Sequence, residues 1–287
     1  MKILVTGKNG QLGKSIYKLV VSKPSSHKFI FVGRKELDFF NIDSFEGFFN
    51  QNIFDIVINC AAYTAVDRAE DEPDLANIVN NLAVKKIAEI AKKRQFKLIH
   101  ISTDYVFDGE TSEPYIYSDI TNPINVYGRS KLAGELAIKK ILPNDALIIR
   151  TSGLYSEFGN NFVKTILRLG KVKEELNIVF DQIVSPTYAS DLAEAILKII
   201  DSEKFKTLNQ KTQIYHYCSS NSTSWYDFAS EVFKLSETSV ITNPIKLSEY
   251  PTLVKKPIYS VLSIKKISSD FNVETFDWQT SLKRCLN

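Results

Sequence analysis

Near its start the chain reads Lys2-Ile3-Leu4-Val5-Thr6-Gly7-Lys8-Asn9-Gly10-Gln11-Leu12-Gly13, a short apolar run followed directly by three glycines in the spacing G-x-x-G-x-x-G. The apolar run is typical of a buried strand, and a segment with helical periodicity follows the glycines. In this setting Gly7 permits a tight turn, Gly10 lets the backbone approach a pyrophosphate, and Gly13 lets helix and strand pack closely. The helix N-terminus adds free N–H groups and the positive end of the helix dipole. The stretch therefore predicts a dinucleotide-binding strand, turn and helix.

Two other interpretations of this turn have to be weighed. Gly13-Lys14-Ser15 resembles the end of the phosphate-binding loop of NTPases, but that pattern needs its first glycine at position 8, which is Lys8. The other interpretation is a strand-to-helix turn that holds no ligand. The position of the motif directly after a strand favours the dinucleotide.

Apolar β-branched segments alternate with helix-period segments through the first half of the chain. This alternation is typical of βαβ units around a parallel sheet. The predicted strands are Lys2 to Thr6, Lys28 to Gly33, Asp55 to Asn59, Phe96 to Ser102 and Ala146 to Arg150. The predicted helices between them are Gln11 to Val21, Glu72 to Arg94 and Tyr127 to Ile141. The fold class is therefore α/β, a Rossmann-like doubly wound parallel sheet.

The second half is less regular and predicts a smaller C-terminal substrate domain interleaved with the last elements of the sheet. Its predicted elements are helices at Asn160 to Leu169 and Ser190 to Ile200, a helix opened by Ser224, and strands at Asn177 to Phe180 and Gln213 to Cys218. We assign residues 1–150 to a dinucleotide-binding domain with returning elements around 188–218. Residues 151–187 and 219–287 are assigned to a substrate-binding domain.

Composition disfavours several classes of function. The 287 residues carry a formal net charge of +3 without a long run of like charges, so charge does not suggest a nucleic-acid partner. Three cysteines and three histidines are scattered without a metal-ligand spacing, so no metal site is predicted. No apolar run is long enough to cross a membrane, and the first residues resemble a strand rather than a signal peptide. We therefore expect a cytoplasmic protein without a membrane partner.

The end of the second predicted strand carries information about the cofactor. A carboxylate there would bind the ribose 2′-hydroxyl of NADH, whereas a basic residue would accept the 2′-phosphate of NADPH. The sequence reads Phe31-Val32-Gly33-Arg34-Lys35, with no acid at this point. It favours NADPH over NADH, with Arg34 contacting the phosphate. The alternative is a solvated Arg-Lys pair in a loop.

A tyrosine and a lysine lie one helical turn apart in the segment Asn125-Val126-Tyr127-Gly128-Arg129-Ser130-Lys131. This spacing puts Tyr127 and Lys131 on one face of a helix, at the edge of the sheet where open α/β proteins bind ligands. An ammonium about 4 Å from a phenolate contributes roughly 4 kcal/mol at an effective dielectric constant near 20, equal to about 3 pKa units. We expect Lys131 to lower the pKa of Tyr127 toward neutrality, which would make Tyr127 a general acid.

Thr103 directly follows the fourth predicted strand and can hold the oxygen of a substrate carbonyl beside Tyr127. Each of the three residues alone also fits a surface position or a strand-end cap. Together with the glycine turn, they predict an oxidoreductase that uses a tyrosine, a lysine and a hydroxyl.

Longer motifs around these residues resemble the extended short-chain dehydrogenase/reductases, and within them the dTDP-4-dehydrorhamnose reductase family. The resemblance runs over most of the chain. Its most specific motifs are Ala61-Ala62-Tyr63-Thr64-Ala65-Val66-Asp67 and Ser102-Thr103-Asp104-Tyr105-Val106-Phe107-Asp108-Gly109. Shorter matches are Asn122 to Gly128 with Lys131, Arg150 to Ser152, Asn161 to Lys164, Asp181-Gln182, Pro186 to Ala189 and Thr223 to Tyr226.

The resemblance implies that NAD(P)H delivers a hydride to the C4 ketone of a nucleotide-linked 4-keto-6-deoxy sugar, with dTDP-4-dehydro-L-rhamnose as the first candidate. It implies that Tyr127 donates the proton, that Lys131 binds the nicotinamide ribose and depresses the pKa of the tyrosine, and that Thr103 positions the carbonyl. It further implies pyrophosphate contacts from Gly10, Gln11 and Leu12, adenine contacts from Asp38 and Phe39, cofactor contacts from Ala61, Ala62 and Tyr63, and sugar contacts from Val66 and Asp104.

The sequence departs from the family's pattern at two positions. Gly153 stands where the family usually has a tryptophan after Thr-Ser, and Ser185 stands where it has a cysteine before Pro-Thr-Tyr. Loss of a flat ring predicts a larger sugar pocket with one stacking surface fewer. The identity of the sugar is therefore open.

Three further expectations rest on the resemblance alone. Family members often accept either nicotinamide cofactor, and some are magnesium-linked dimers, so use of NADH, a role for Mg²⁺ and a homodimer are open.

One alternative function is reduction of a different nucleotide-sugar. Another is a non-catalytic NADP-binding regulatory subunit, which would be expected to lack Thr103, Tyr127 or Lys131.

Overall fold

The computed structural model describes residues 1–23, 25–206, 211–252 and 254–287. Its strands are β1 (Lys2–Thr6), β2 (Lys28–Val32), β3 (Ile56–Asn59), β4 (Lys97–Thr103), β5 (Ala146–Thr151), β6 (Leu154–Tyr155), β7 (Glu175–Val179), β8 (Ile183–Val184), β9 (Thr187–Tyr188), β10 (Gln213–His216), β11 (Thr223–Ser224) and β12 (Ile241–Ile245). Its α-helices are α1 (Gln11–Ser22), α2 (Ser44–Gln51), α3 (Val66–Asp71), α4 (Pro73–Asn77), α5 (Ala83–Arg94), α6 (Val126–Ile141), α7 (Phe162–Gly170), α8 (Ala189–Asp201), α9 (Glu203–Lys206), α10 (Trp225–Leu235), α11 (Lys265–Phe271) and α12 (Trp278–Leu286).

The central sheet has the strand order β10-β5-β4-β3-β1-β2, and its strands pair in parallel. The predicted α/β fold with a parallel sheet is therefore confirmed. Since β2 lies on one side of β1 and β3 on the other, the chain changes direction across the sheet between β1 and β3. Ligands of doubly wound folds bind at such a point, beyond the carboxyl ends of the strands. The glycine turn after β1 and the segment Cys60 to Ala62 after β3 meet there.

Helices cover both faces of the sheet, so its strands are apolar on both sides. Ile3 and Val5 of β1 belong to one buried cluster, which also contains side chains of α1 and α8. Leu4, between them, belongs to a second cluster with side chains of α2 and α5. This alternation is the period-two pattern of a strand.

A third apolar cluster lies outside the central sheet, and its buried members come from β6, α7, β7, β9, α10 and α12. The chain then returns to the sheet through α8 and β10, within the stretch predicted around 188–218. Residues 207–210 of that stretch lie outside the described residues. The division into two domains stays a prediction.

The predicted elements of the first half are present with ends that differ by at most one residue. The predicted helix from Glu72 to Arg94 is a continuous helical segment over residues 73–94, in which a π-helical turn over Ile78–Leu82 joins α4 to α5. Asn80 lies in this turn, and its amide both donates to the Tyr63 carbonyl and accepts from the Tyr63 N–H, each at 2.9 Å. Apolar periodicity does not reveal such a contact.

In the second half the predicted strand at 177–180 is β7, which begins two residues earlier, and the predicted strand at 213–218 ends at His216. The predicted helices correspond to α7, α8 and α10, and Ser224 caps α10 by accepting from the Asp227 N–H at 3.0 Å. The sequence patterns gave no indication of α2, α3, α11 and α12. These helices are short, and tertiary packing rather than local periodicity stabilises them.

Candidate active site

The turn between β1 and α1 brings three stretches of backbone together. Gly7 has φ +70°, and a Cβ at this position would lie 2.8 Å from the Ala61 nitrogen. A Cβ at Gly13 would lie 2.3 Å from the Gly7 carbonyl oxygen. No side chain of the described residues caps α1 at Gly10, so the first N–H groups of the helix are available to an anion.

A first cavity of about 540 Å³ lies beside this turn. The predicted cofactor residues in its wall are Gly7, Gly10, Arg34, Asp38, Phe39, Ala61, Ala62 and Tyr63. The Arg34 guanidinium lies 4.4 Å from the centre of the Phe40 ring, and its Nε is 3.4 Å from Oδ1 of Asp38. The Arg34 side chain is 68% exposed, so it can turn toward a ligand phosphate.

Two charged residues that sequence reasoning missed also line this cavity. The hydroxyl of Tyr63 donates to the carboxylate of Glu72, and Nη2 of Arg68 donates to the same carboxylate at 2.5 Å. These contacts tie Tyr63 to the junction of α3 and α4. The i, i+4 spacing of Arg68 and Glu72 is a local signal for their ion pair, whereas the Tyr63–Glu72 contact depends on how the two short helices fold back.

A second cavity of about 510 Å³ meets the first at Gly10, Cys60 and Ala62. The predicted residues in its wall are Gly10, Gln11, Leu12, Ala62, Thr103, Asp104, Tyr127 and Lys131. The structure therefore brings the hydroxyl, the phenol and the amine to one cavity that adjoins the glycine turn. We call it the catalytic cavity.

The start of α6 determines how this helix directs Tyr127 and Lys131 into the catalytic cavity. Asn125 caps the helix, because its Oδ1 accepts from the Gly128 N–H at 2.8 Å. A Cβ at Gly128 would lie 2.1 Å from the Tyr105 carbonyl oxygen, so the first turn of α6 lies directly against the loop after β4. Tyr127 and Lys131 then enter the cavity from one face of the helix.

The expectation for the pKa of Tyr127 is wrong in direction. Burial raises the pKa of Tyr127 to about 12; the nearby Thr103 hydroxyl lowers it and the charge of Asp104 raises it. The Lys131 ammonium does not offset this burial, and Nζ of Lys131 donates to the Ile101 carbonyl oxygen at 2.7 Å. The phenol of Tyr127 is therefore protonated at neutral pH.

Lys131 is itself buried, with 2% of the residue exposed. Burial lowers the pKa of Lys131 to about 8, while the charge of Glu135 opposes this shift. The Glu135 carboxylate, one helical turn further along α6, accepts from Nη2 of Arg150 at 2.7 Å and from the Ser102 hydroxyl at 2.5 Å. This buried network fixes α6 against β4 and β5 beneath the cavity.

Asp104 is a buried carboxylic acid in the wall of the catalytic cavity. Burial raises the pKa of its carboxyl, and the neighbouring serine and threonine hydroxyls lower it. Thr103 Oγ1 donates to Oδ1 of Asp104 at 2.9 Å, and Ser152 Oγ donates to Oδ2 at 2.8 Å. The carboxylate thus has one hydroxyl partner on each oxygen.

Two predicted site residues are not among the described residues that line either cavity. Gly13 is a packing residue of the turn, which agrees with its predicted part in close helix–strand contact. Val66 is half-buried at the start of α3, so the cavity wall gives its predicted sugar contact no support.

A protein-family model described as the RmlD substrate binding domain matches residues 1–287. The dTDP-4-dehydrorhamnose reductase of Aggregatibacter actinomycetemcomitans is 40% identical over 291 residues, which cover 98% of this chain and 97% of that protein. The enzyme of the same name from Escherichia coli K12 is 37% identical, with 100% of this chain and 97% of that protein covered. The chain belongs to the dTDP-4-dehydrorhamnose reductase family.

Solved structures of this reductase family share the fold over the whole chain. A dTDP-4-dehydrorhamnose reductase from Clostridium acetobutylicum has a TM-score of 0.93 at 40% identity and covers 100% of this chain and 98% of its own. The one from Bacillus anthracis, in complex with NADP, has a TM-score of 0.92 at 36% identity, with 99% and 98% covered. The glycine turn and the catalytic cavity both lie within the shared part.

The position that lacks the reductase family's usual tryptophan is covered by another tryptophan. Gly153 has φ +52°, and a Cβ there would lie 3.1 Å from Cη2 of Trp225. The Trp225 indole comes from α10 and packs on Phe162 with 4.4 Å between ring centres. The expected gap beside the sugar pocket is therefore closed on this side by an indole from a different element. Ser185, the other departure, is buried.

Within the described ranges, no group of three or more His, Cys, Asp or Glu side chains is arranged to hold a metal ion. In the same part of the chain, no helix is long and apolar enough to cross a membrane.

Proposed function

We propose that this protein is an NAD(P)H-dependent oxidoreductase that reduces the C4 ketone of dTDP-4-dehydro-L-rhamnose to give dTDP-L-rhamnose. The observation that carries the proposal is the placement of Thr103, Tyr127 and Lys131 in one cavity that adjoins the glycine turn. The names of relatives that are 40% and 37% identical over nearly their whole length support the same substrate.

The residues present fit a nicotinamide dinucleotide. At Gly7 and Gly13 the backbone of the turn is too close to neighbouring backbone for a Cβ, and the first N–H groups of α1 would hold the pyrophosphate. Asp38 and Phe39 would lie beside the adenine, and Ala61 to Tyr63 would line the path to the catalytic cavity. Arg34 would pair with a 2′-phosphate, and the NADP complex of the Bacillus anthracis relative supports NADPH as the cofactor. When bound, the cofactor supplies the hydride.

Tyr127 and Thr103 act on the carbonyl oxygen. The Tyr127 hydroxyl gives its proton to this oxygen as the carbonyl carbon is reduced, which leaves a tyrosinate and a secondary alcohol. The Thr103 hydroxyl holds the oxygen in place when it turns away from Asp104. Because Ser152 still donates to the carboxylate, Asp104 keeps a hydrogen-bond partner throughout.

Lys131 acts on Tyr127 through its charge. One of its N–H groups is held by the Ile101 carbonyl, and the other two are free to bind the ribose hydroxyls beside the nicotinamide. Its positive charge stabilises the tyrosinate that forms when the proton leaves. The lysine therefore contributes most at the moment of proton transfer rather than in the resting phenol.

The first competing function is reduction of another nucleotide-sugar by the same residues. The Gly153–Trp225 contact supports this alternative, because the contact changes one wall near the sugar pocket. The second, a non-catalytic NADP-binding subunit, is disfavoured because Thr103, Tyr127 and Lys131 are all present. A cytoplasmic location stays a prediction from the sequence, and use of NADH, a homodimer and a role for Mg²⁺ stay open.

Replacement of the proton donor tests the proposal. Tyr127→Phe should lower turnover of dTDP-4-dehydro-L-rhamnose by roughly 10²- to 10⁴-fold, the usual contribution of a general acid, while NADPH binds nearly as before. Loss of NADPH absorbance measures turnover, and fluorescence titration measures binding. Turnover equal to that of the wild type would remove Tyr127 from the reaction. A parallel screen of other keto-sugar nucleotides separates the leading substrate from its alternatives.

A further inference from the structure

Helix α6 carries one acidic residue, Glu135, and it lies one turn further along the helix than Lys131. The i, i+4 spacing puts the carboxylate and the amine on one face of α6. Glu135 and Lys131 are 1% and 2% exposed. Burial of a carboxylate is costly unless its oxygens are hydrogen-bonded and its charge is compensated. The partners of Glu135 therefore determine whether it keeps its charge.

Partners from two strands hold the Glu135 carboxylate in its charged form. Arg150 of β5 donates twice, from Nε to Oε1 at 3.0 Å and from Nη2 to Oε2 at 2.7 Å. The Ser102 hydroxyl of β4 donates to Oε1 at 2.5 Å. Hydrogen bonds from a guanidinium to both oxygens of a carboxylate are strong and have a fixed geometry. Glu135 is therefore a negative charge fixed in place beside the catalytic cavity.

The last three residues of β4 connect this charge to the catalytic residues. The Ile101 carbonyl accepts from Nζ of Lys131 at 2.7 Å. The next residue, Ser102, donates to Glu135. The residue after that is Thr103, whose side chain lies in the wall of the catalytic cavity with that of Lys131. The contact between Ser102 and Glu135 therefore holds the end of β4 and the amine of α6 in a fixed relation.

Three other titratable groups near Lys131 are neutral at neutral pH. Burial raises the pKa of the Cys60 thiol, which follows β3, to about 12. Burial and the charge of Lys131 hold the pKa of His100, on β4, well below its ordinary value. Burial likewise raises the pKa of Tyr127 to about 12. None of these three groups gives Lys131 a negative neighbour at neutral pH.

Two further charged groups lie near the catalytic cavity, and neither replaces Glu135. Asp104 lies in the cavity wall, and its charge acts on Tyr127. The Arg150 guanidinium is held by the carboxylate of Glu135, and it lies 5.1 Å from the centre of the Phe107 ring. Burial lowers the pKa of Lys131 to about 8, and the charge of Glu135 is the main effect that opposes this shift.

We propose that Glu135 is a positioning residue that keeps Lys131 in its ammonium form, while Ser102 and Arg150 hold the carboxylate in place. Glu135 is not among the described residues that line the two cavities, so it acts through Lys131 rather than on the substrate or cofactor. The inference rests on the proposed function, in which the ammonium stabilises the tyrosinate of Tyr127. A buried amine with no negative charge nearby loses its proton more readily, and that stabilisation is then lost.

The test removes both charges of the buried pair, so that neither is left without its partner. In Glu135→Gln/Arg150→Gln, the alkaline decline of kcat/KM should move down by about one pH unit, a tenfold change in the protonation equilibrium of Lys131. Reduction of the keto-sugar should therefore be close to that of the wild type at pH 6 and about tenfold slower at pH 9. Glu89→Gln makes the same change at an exposed carboxylate on α5 and should keep the wild-type profile. A loss that is equal at every pH would show a merely structural role and overturn the inference.

NMR of protein labelled with ¹³C-lysine follows the Lys131 amine without turnover. Lys131→Arg removes the signal and so assigns it. The signal should titrate near pH 8 in the wild type and about one unit lower in Glu135→Gln/Arg150→Gln. A signal that the double substitution leaves unchanged overturns the inference.

Two further outcomes separate this inference from the proposed function. A wild-type Lys131 signal that titrates below pH 7 overturns the inference, and this measurement is decisive even if the double variant does not fold. If the Lys131 signal moves as expected but the wild type does not oxidise NADPH with the keto-sugar, the proposed function is refuted. The assignment of Glu135 to Lys131 then stands.

Discussion

Burial, rather than a neighbouring charge, keeps Tyr127, the proposed proton donor, in its neutral form. The dry cavity raises the pKa of Tyr127 and lowers that of Lys131, so each group is pushed toward its neutral form. A neutral phenol is the form that a reductase needs in its proton donor. The lysine, in contrast, has to keep its proton to stabilise a tyrosinate, and Glu135 supplies a nearby negative charge that favours this.

This difference predicts which residue limits activity at alkaline pH. Lys131, with a pKa of about 8, is charged below that pH and loses its proton as pH rises through it, whereas Tyr127 stays protonated up to about 12. We expect kcat/KM for the keto-sugar to fall above pH 8 with a slope of one proton. Lys131→Arg should be slower but should lose this alkaline decline, because a guanidinium stays charged. A decline that survives the substitution would assign it to another group.

The proposed preference for NADPH rests on one exposed side chain, that of Arg34. Arg34→Ala should raise the dissociation constant of NADPH by about 10- to 100-fold and change that of NADH by less than about twofold, since only NADPH carries the 2′-phosphate. Fluorescence titration of both cofactors measures this, with Lys35→Ala as the neighbouring control. Equal losses for both cofactors would mean that Arg34 does not contact that phosphate.

At the level of single residues, the sequence could predict chemistry that depends on local spacing. Tyr127 and Lys131 are four residues apart on a helix, and Thr103 lies at the end of a strand. These local features were enough to predict that the three side chains share one cavity. The sequence could not predict the direction of the Tyr127 pKa shift, because that depends on burial by the surrounding chain. It also could not show that Trp225, far along the chain, covers Gly153.

Among the structural elements, the contact between β1 and α1 determines whether the cofactor turn can form. Gly13→Ala places a methyl group 2.3 Å from the Gly7 carbonyl oxygen, so helix and strand have to move apart. We expect a loss of about 1–3 kcal/mol in the free energy of unfolding, together with weaker NADPH binding.

Gly47→Ala is the matched control for Gly13→Ala. Gly47 lies within α2, and a Cβ there would meet nothing within 4 Å. This variant should gain about 0.5–1 kcal/mol, because alanine is the better helix former. Urea unfolding and NADPH titration of both variants provide the comparison. A Gly13→Ala protein with wild-type stability and affinity would contradict the assigned packing role.

Helices and strands were predictable where a long segment with periodic apolar residues ended at a clear turn signal. The strands and helices of the first half satisfy this condition, and they were placed to within one residue, whereas strand β10 ends two residues earlier than predicted. The helix predicted over residues 72–94 is present as well, but its apolar period did not show the π-helical turn in which the Asn80 amide binds Tyr63. The short helices α11 and α12 have too few turns for a periodic signal.

Over the whole molecule, several contacts join the sheet to the third apolar cluster. The Gln11 amide, in the glycine turn, donates to the Leu154 carbonyl at 3.1 Å and accepts from the Asn161 amide at 2.9 Å. On the opposite side, Arg284 of α12 pairs with the buried Asp191 of α8 at 2.5 Å. Because α8 also packs on α1, the part of the chain with the glycine turn and the part that forms the third cluster support each other.

These contacts predict that the protein unfolds in one cooperative transition. Both tryptophans, Trp225 and Trp278, belong to the third cluster, whereas the cofactor turn belongs to the sheet. Tryptophan fluorescence therefore reports on one part, and far-ultraviolet circular dichroism reports on the whole.

NADP⁺ at about 100 times its dissociation constant stabilises the native state by about 2.7 kcal/mol, or roughly 5–10 °C in midpoint. We expect both probes to give the same midpoint and to move together by this amount. A tryptophan midpoint that stays fixed while the circular dichroism midpoint rises would show that the two parts unfold independently and that the Gln11 and Arg284 contacts do not couple them.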